Sequence, residues 1–178
     1  MLKRFKTWLP FYKNNKNNYT DRVVKVAESV YLLRQMTVGD IKDLIQLERE
    51  VYEGEIPWTK SAFLSELYSK YSHQYICLLS EGEIIGFVGI RVTLEDGHLT
   101  NIAIHPDYQG QGLGTLLIQE VEKFAKKQKC QTMSLEVRIS NRDAQRLYRQ
   151  LGFESRRIMP KYYNEGNEDA VDMVKHLK

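Results

Sequence analysis

Between Asn101 and Thr115 the chain reads NIAIHPDYQGQGLGT. Three apolar residues, Ile102, Ala103 and Ile104, lead through a His-Pro-Asp-Tyr turn into Gln109-Gly110-Gln111-Gly112-Leu113-Gly114, and an amphipathic segment follows. A glycine-rich turn at a helix start leaves several backbone N–H groups without partners, and the helix dipole makes that end positive. Such a turn holds a phosphate or pyrophosphate. Glycine at 110, 112 and 114 removes the Cβ atoms that would keep the backbone away from that anion. The spacing excludes two familiar loops. No Gly-Lys-Ser/Thr follows, so it is not a Walker loop, and the glycines do not fit GxGxxG. A structural loop would use the same residues.

A second chemical set lies at 134–153, SLEVRISNRDAQRLYRQLGF. It holds a carboxylic acid (Glu136), an amide (Asn141) and a phenol (Tyr148). Each has a plainer reading. Glu136 alternates with apolar Met133, Leu135 and Val137, which fits a solvated sheet face. Tyr148 shares a helix face with Leu147 and Leu151, which fits a packed core. Asn141 fits a helix cap. His98 and His105, beside turns, read as polar surface.

Apolar and polar periodicity supplies the elements that must position these groups. Strands are expected at 30–35, 74–80, 84–92, 98–104, 132–137, 155–163 and 170–177. Helices are expected at 40–52, 59–68, 113–127 and 142–151, the last closed by Gly152 as a C-terminal cap. The order β-α-α-β-β-β-α-β-α-β-β predicts a mixed α/β sheet of six to seven strands, mostly antiparallel, with helices on both faces.

The 178 residues suit one domain with a tail, and 42% apolar and 28% charged residues are ordinary for a globular chain. No apolar run approaches the roughly 20 residues of a membrane span, and no signal-peptide core follows the basic start. Cys77 and Cys130 match no zinc or redox spacing, and no metal is expected. A cytoplasmic location follows from these features as an expectation. Charge is uneven: residues 1–28 hold seven Lys or Arg against Asp21 and Glu28, whereas the whole chain carries only +3. We therefore expect a basic N-terminal extension over 1–28 and a domain over 29–178. The extension has apolar Leu2, Phe5, Trp8, Leu9 and Tyr12 among lysines, then an Asn/Lys linker. It suits contact with a ribosome or membrane surface, or a plain tail; no nucleic-acid-binding motif is present.

The glycine turn resembles the Q-x-x-G-x-G/A turn of the GNAT superfamily of N-acetyltransferases. Asn141, Ala144, Leu147, Tyr148, Leu151, Gly152 and Phe153 resemble that superfamily's N-x-x-A-x-x-L-Y-x-x-L-G-F pattern. Leu135 to Asn141, Ile56-Pro57-Trp58, Tyr162-Tyr163 and the following Glu168-Asp169-Ala170 look like its RimI branch, which acetylates the N-terminal alanine of ribosomal protein bS18. The resemblance spans about 30–178. It implies acetyl-CoA as cosubstrate, with Ile102, Ala103 and Ile104 offering backbone groups to its acetyl and pantetheine parts. It implies that Gly110, Gln111, Gly112, Leu113, Gly114 and Thr115 hold the pyrophosphate and that Asn141 bonds near the pantetheine. It implies Glu136 as general base and Tyr148 as general acid. Trp58, Tyr162 and Tyr163 would line a peptide groove, or simply pack. The basic extension departs from the family's usual length. Two alternatives stay open: a small amine, polyamine, antibiotic or lysine side chain as acceptor, and a non-catalytic acyl-CoA-binding module.

Overall fold

The computed structural model describes residues 19–52, 54–163 and 165–178. Its eight strands form one sheet: β1 (Arg22–Val26), β2 (Ser29–Gln35), β3 (His73–Ser80), β4 (Glu83–Thr93), β5 (Asp96–Ile104), β6 (Thr132–Arg138), β7 (Glu154–Tyr163) and β8 (Glu168–His176). The order across the sheet is β1-β2-β3-β4-β5-β6-β8-β7. Every neighbouring pair is antiparallel except β5 and β6. Four helices complete the fold: α1 (Ile41–Val51), α2 (Lys60–Leu67), α3 (Leu113–Lys127) and α4 (Arg142–Gln150).

The expected strands and helices are present, with one strand more. Residues 22–26 pair along their whole length with β2, so the sheet begins inside the stretch assigned to the extension, and a boundary at 28 is too late. The basic arm over 1–18 lies outside the described residues. Tyr19 and Arg22 explain the early start: both reach the buried Glu120 of α3, Tyr19 Oη at 3.0 Å and Arg22 at 2.5 Å. They fasten the first strand to the same helix that follows the glycine turn.

Two apolar layers sandwich the sheet. α3 buries Leu117, Ile118, Val121, Phe124 and Ala125 against Leu33, Leu78, Val88, Ile90, Met133 and Leu135, and α4 adds Tyr148 to this layer. On the opposite face α1 and α2 bury Leu44, Leu47 and Phe63 against Tyr75, Cys77 and Phe87. α1 is held at its start by Arg34, which makes two bonds of 2.7 and 2.8 Å to Asp40. Cys77 and Cys130 are buried free thiols, and burial pushes the Cys77 thiol up. Among the described residues no helix is long and apolar enough to cross a membrane.

The parallel pair sets up everything that follows. β5 and β6 pair only at Asp96–Thr132, Gly97–Met133 and His98–Ser134. β5 runs on to Ile104 and β6 to Arg138 with no further ladder between them, so the two strands part and leave a wedge-shaped opening. On its other side β5 stays paired to β4, but Gly89 faces Asn101 and Ile90 faces Leu99. Thr100 is thereby an extra residue, a bulge at the mouth of the wedge.

Candidate active site

One wall of the wedge is the end of β5. Beyond His98, backbone groups of residues 100–104 that turn toward β6 have no strand partner there. The chain then turns through His105, whose Nδ1 accepts from the Asp107 N–H at 3.2 Å. Gln109 donates to the Ile104 carbonyl at 2.9 Å, so that carbonyl, one of the groups expected to face a ligand, is already engaged. Ala103 is buried under α1 and α2 and offers only backbone.

The glycine turn sits at the head of α3. Gly110 and Gly112 have φ of +73° and +82°, the left-handed region that favours glycine, and a Cβ at either would meet no atom within 4 Å. Gly112 precedes the helix without a side-chain cap, so the N–H groups of the first turn point outward from a 15-residue helix. Gly114 differs from expectation: a Cβ there would lie 3.3 Å from Leu147. Its small size lets α4 approach α3, in addition to any service to a ligand. Gln111 braces the loop, donating to the Asp107 carbonyl at 3.1 Å and accepting from the Tyr31 hydroxyl at 3.3 Å. Leu113 is buried in the core, so its side chain faces away from the turn. The geometry fits an anionic ligand entering the wedge with its phosphates on α3.

The other wall is β6 with α4. Gln145 of α4 donates to the carbonyls of Arg138 and Ile139 at 3.1 and 3.0 Å, which fixes the helix on the strand end. Asn141 caps α4 through its Oδ1, which accepts from the Ala144 N–H at 3.0 Å. The cap reading is therefore correct, and the amide NH2 stays as a donor. Tyr148 lies in the core layer, its ring edge-on to Phe153 at 5.9 Å. Burial raises its phenol well above the ordinary range and keeps it protonated.

Glu136 lies on β6 just past the last β5–β6 pair and is half-buried. Its Oε2 is 3.2 Å from His98 Nε2. The Tyr162 hydroxyl bonds to it as well, and burial followed by that charge raises the Tyr162 phenol. Tyr162 thus approaches the candidate base itself, and Tyr163 stacks edge-on against it at 5.1 Å. The Arg138 guanidinium lies over the Tyr163 ring at 4.5 Å and bonds Glu168 at 3.0 Å. Trp58 behaves differently. Its ring packs on Phe63 at 5.1 Å, and it belongs to the α1–α2 layer.

Two residues escaped the sequence reading. His98 was expected to be polar surface and instead contacts Glu136. Glu48 of α1 is fully buried, accepting from Asn101 Nδ2 at 2.8 Å and from the Trp58 N–H at 3.1 Å. Burial lifts its carboxyl to about 7 against the pull of those two bonds. The signal was present: Glu48 falls on the apolar stripe Leu44, Leu47, Val51, where a charge is out of place. Its charge also raises Tyr52, pushed up to about 12 chiefly by burial. Tyr52 in turn faces Tyr148 and Tyr163. Among the described residues no group of three or more His, Cys, Asp or Glu side chains is arranged to hold a metal ion.

Residues 41–153 match the model of the acetyltransferase (GNAT) family. A Bacillus subtilis protein whose name assigns it, provisionally, [ribosomal protein bS18]-alanine N-acetyltransferase activity is 36% identical over 141 residues, covering 79% of this chain and 92% of the relative. The N-alpha-acetyltransferase RimI of Mycobacterium tuberculosis is 33% identical over 142 residues, 78% of this chain and 87% of that one. The crystal structure of the ribosomal-protein-S18-alanine N-acetyltransferase from Escherichia coli superposes with a TM-score of 0.74 at 31% identity, over 83% of this chain and 94% of that chain. With the splayed parallel pair and the glycine turn already in place, these likenesses establish that the chain belongs to the GNAT family and is an acetyl-CoA-dependent N-acetyltransferase.

Proposed function

We propose that this acetyltransferase acts on the N-terminal α-amine of a protein, namely the alanine that begins ribosomal protein bS18, with Glu136 as general base and Tyr148 as general acid. The observation that carries the reading is the position of Glu136: a half-buried carboxylate on the wall of the β5–β6 wedge, one strand away from the backbone expected to hold the acyl group. The names of the relatives support the choice of acceptor.

The cosubstrate supplies an acetyl thioester; this chain's own groups do the rest. An α-ammonium has a pKa of about 8, so Glu136, directly or through a water, can remove one proton and free the amine. Backbone N–H groups of Ile102 to Ile104 on the open side of β5 steady the oxyanion that develops at the carbonyl. Tyr148, held protonated by burial, gives its proton to the departing sulfur, and the second proton that the nitrogen sheds as the amide forms returns the phenol to its neutral state. The first turn of α3 from Gly110 to Thr115 holds the pyrophosphate, and the free amide NH2 of Asn141 bonds the pantetheine. Tyr162 and Tyr163 form the acceptor side of the wedge.

The test is thiol release from acetyl-CoA with a peptide carrying the bS18 N-terminus. The same peptide with a blocked α-amine, and a panel of small amines and lysine peptides, serve as controls. Release only with the open α-amine, lost in Glu136→Gln with unchanged acetyl-CoA affinity, is the expected result. Release with small amines or lysine alone would replace the acceptor, and wild-type turnover by Glu136→Gln would remove the base.

A further inference from the structure

A line of polar side chains runs behind Glu136, deeper along the β5–β6 pair. Thr132 Oγ1 donates to Asp96 Oδ1 at 2.7 Å, and Ser134 Oγ donates to Asp96 Oδ2 at 2.5 Å. Ser134 Oγ also contacts His98 Nδ1 at 2.9 Å, and His98 Nε2 contacts Glu136 Oε2 at 3.2 Å. The register explains the line. Asp96 faces Thr132 and His98 faces Ser134 across the parallel pair, and Glu136 is two residues beyond Ser134 on the same face.

Counting protons along this line gives a definite answer. Ser134 carries a single hydroxyl proton, and its hydrogen bond to Asp96 uses it. The Ser134 proton therefore points at Asp96, and Nδ1 of His98 must donate to the Ser134 oxygen. A neutral imidazole then turns a bare Nε2 lone pair toward a carboxylate oxygen. The 3.2 Å contact closes as a hydrogen bond only when one further proton lies between Nε2 and Oε2.

We propose that His98 is a positioning residue that stores the proton collected by Glu136. The proposal rests on Glu136 being the base. An ammonium N–H breaks as a Glu136 O–H forms; that O–H then breaks as Nε2 gains the proton. Asp96, through Ser134, stabilises the imidazolium, and the partly exposed ring returns its proton to water, which balances the one proton the overall reaction releases at an α-ammonium. Other charged groups frame the pair. Asp172 lies across from Glu136 on β8 and is held by Arg156 and Arg157 of β7. Arg156 also faces Asp96 and Glu136. Tyr162 and Tyr163 come from β7, and Arg91, opposite His98 on β4, is paired to Glu66 of α2.

The experiment is the pH dependence of kcat at saturating acetyl-CoA and peptide for wild type, His98→Gln and Ser134→Ala. Glutamine keeps a donor to Glu136 but cannot carry the proton. The acidic limb of kcat should move to lower pH in His98→Gln, because the proton then has only a carboxylate to sit on, a weaker base than an imidazole. It should move part of the way in Ser134→Ala. A limb that stays where the wild type has it, with Glu136→Gln inactive, overturns the role of His98 and leaves the base intact. Wild-type turnover by Glu136→Gln would instead overturn the base. An NMR titration of the His98 ring, identified by its loss in His98→Gln, is independent of turnover. Its midpoint should fall in Glu136→Gln, which removes the negative charge facing the ring, and an unchanged midpoint overturns the pairing.

Discussion

Glu48→Gln is the sharpest available perturbation of this fold because burial and hydrogen bonding pull in opposite directions at a single atom pair. The carboxyl has no exposed surface. Its two bonds, to the Asn101 amide and the Trp58 N–H, lower its pKa, yet burial wins and lifts it from 4.5 to about 7. A carboxyl whose pKa is raised by folding stabilises the fold while it is protonated. That contribution is complete below the unfolded pKa and is lost as pH rises through the folded one. At 1.36 kcal/mol per unit, the full loss is about 3 kcal/mol. Glutamine keeps the shape, accepts from Trp58 with its carbonyl, and meets the Asn101 side chain once that amide turns over. It cannot ionise.

Wild type and Glu48→Gln should therefore melt at similar temperatures near pH 5, and the variant should gain steadily up to about pH 8. For a chain of this size about 3 kcal/mol corresponds to roughly 6–12 °C. The difference between the two proteins is the quantity to follow, because other groups tilt the wild-type curve the other way. Burial opposes ionisation of Asp40 and Glu122, but bonds to Arg34 and Thr37, and to Lys175 and Lys126, outweigh it and hold both below the usual range. Their stabilisation is lost as pH falls. These terms cancel in the difference. A difference that is constant from pH 5 to 8, or that favours wild type as pH rises, would refute the reasoning.

Three further outcomes are expected. Gly112→Ala forces a Cβ into a φ of +82°, costing about 1–2 kcal/mol in a thermal melt; it should also raise KM for acetyl-CoA with little change in kcat, and an unchanged KM would detach this turn from the cosubstrate. Tyr148→Phe keeps the ring on Phe153, so the melt should hardly move, while kcat should fall by about a hundredfold; wild-type kcat would leave the sulfur to be protonated by another group. Phe63→Ala empties a fully buried site between Trp58 and Phe87. It should cost about 3–5 kcal/mol, read by the melt and by Trp58 fluorescence, and a loss below about 1 kcal/mol would mean the α1–α2 layer closes over the gap.

Period and punctuation carried most of the backbone. Seven strands and four helices stand where the apolar spacing put them, and Gly152, with φ of +91°, ends α4 as expected. The eighth strand was hidden for a physical reason. β1 reads Arg-Val-Val-Lys-Val in a basic stretch, and its hairpin turns through Ala27 at φ of +51°, where the usual Asn-Gly or Asp-Gly signal is absent. β5 likewise begins earlier than its apolar residues do, because Leu94 takes the left-handed turn position at φ of +56°. In both hairpins the register of long antiparallel pairs holds an unfavourable residue in the turn, and long-range pairing of that kind is not written in local spacing.

The candidate site divides along the same line. Groups within one element, such as the glycine turn before α3 or Asn141 and Tyr148 on α4, were legible because helix and turn geometry relate them directly. The line from Asp96 to Glu136 was not. Period 2 puts Asp96 with His98 on one face of β5, and Thr132, Ser134 and Glu136 on one face of β6. Whether those faces meet in register depends on how α3 returns the chain 36 residues later. A slip of one residue would turn His98 or Glu136 to the opposite face and destroy the line. Under the proposed mechanism the brevity of the pairing is itself a requirement. Three matched positions align the polar side chains behind Glu136, and the parting of the strands beyond them leaves backbone free for an acyl group. A longer ladder would close the wedge, and a shorter one would lose the alignment.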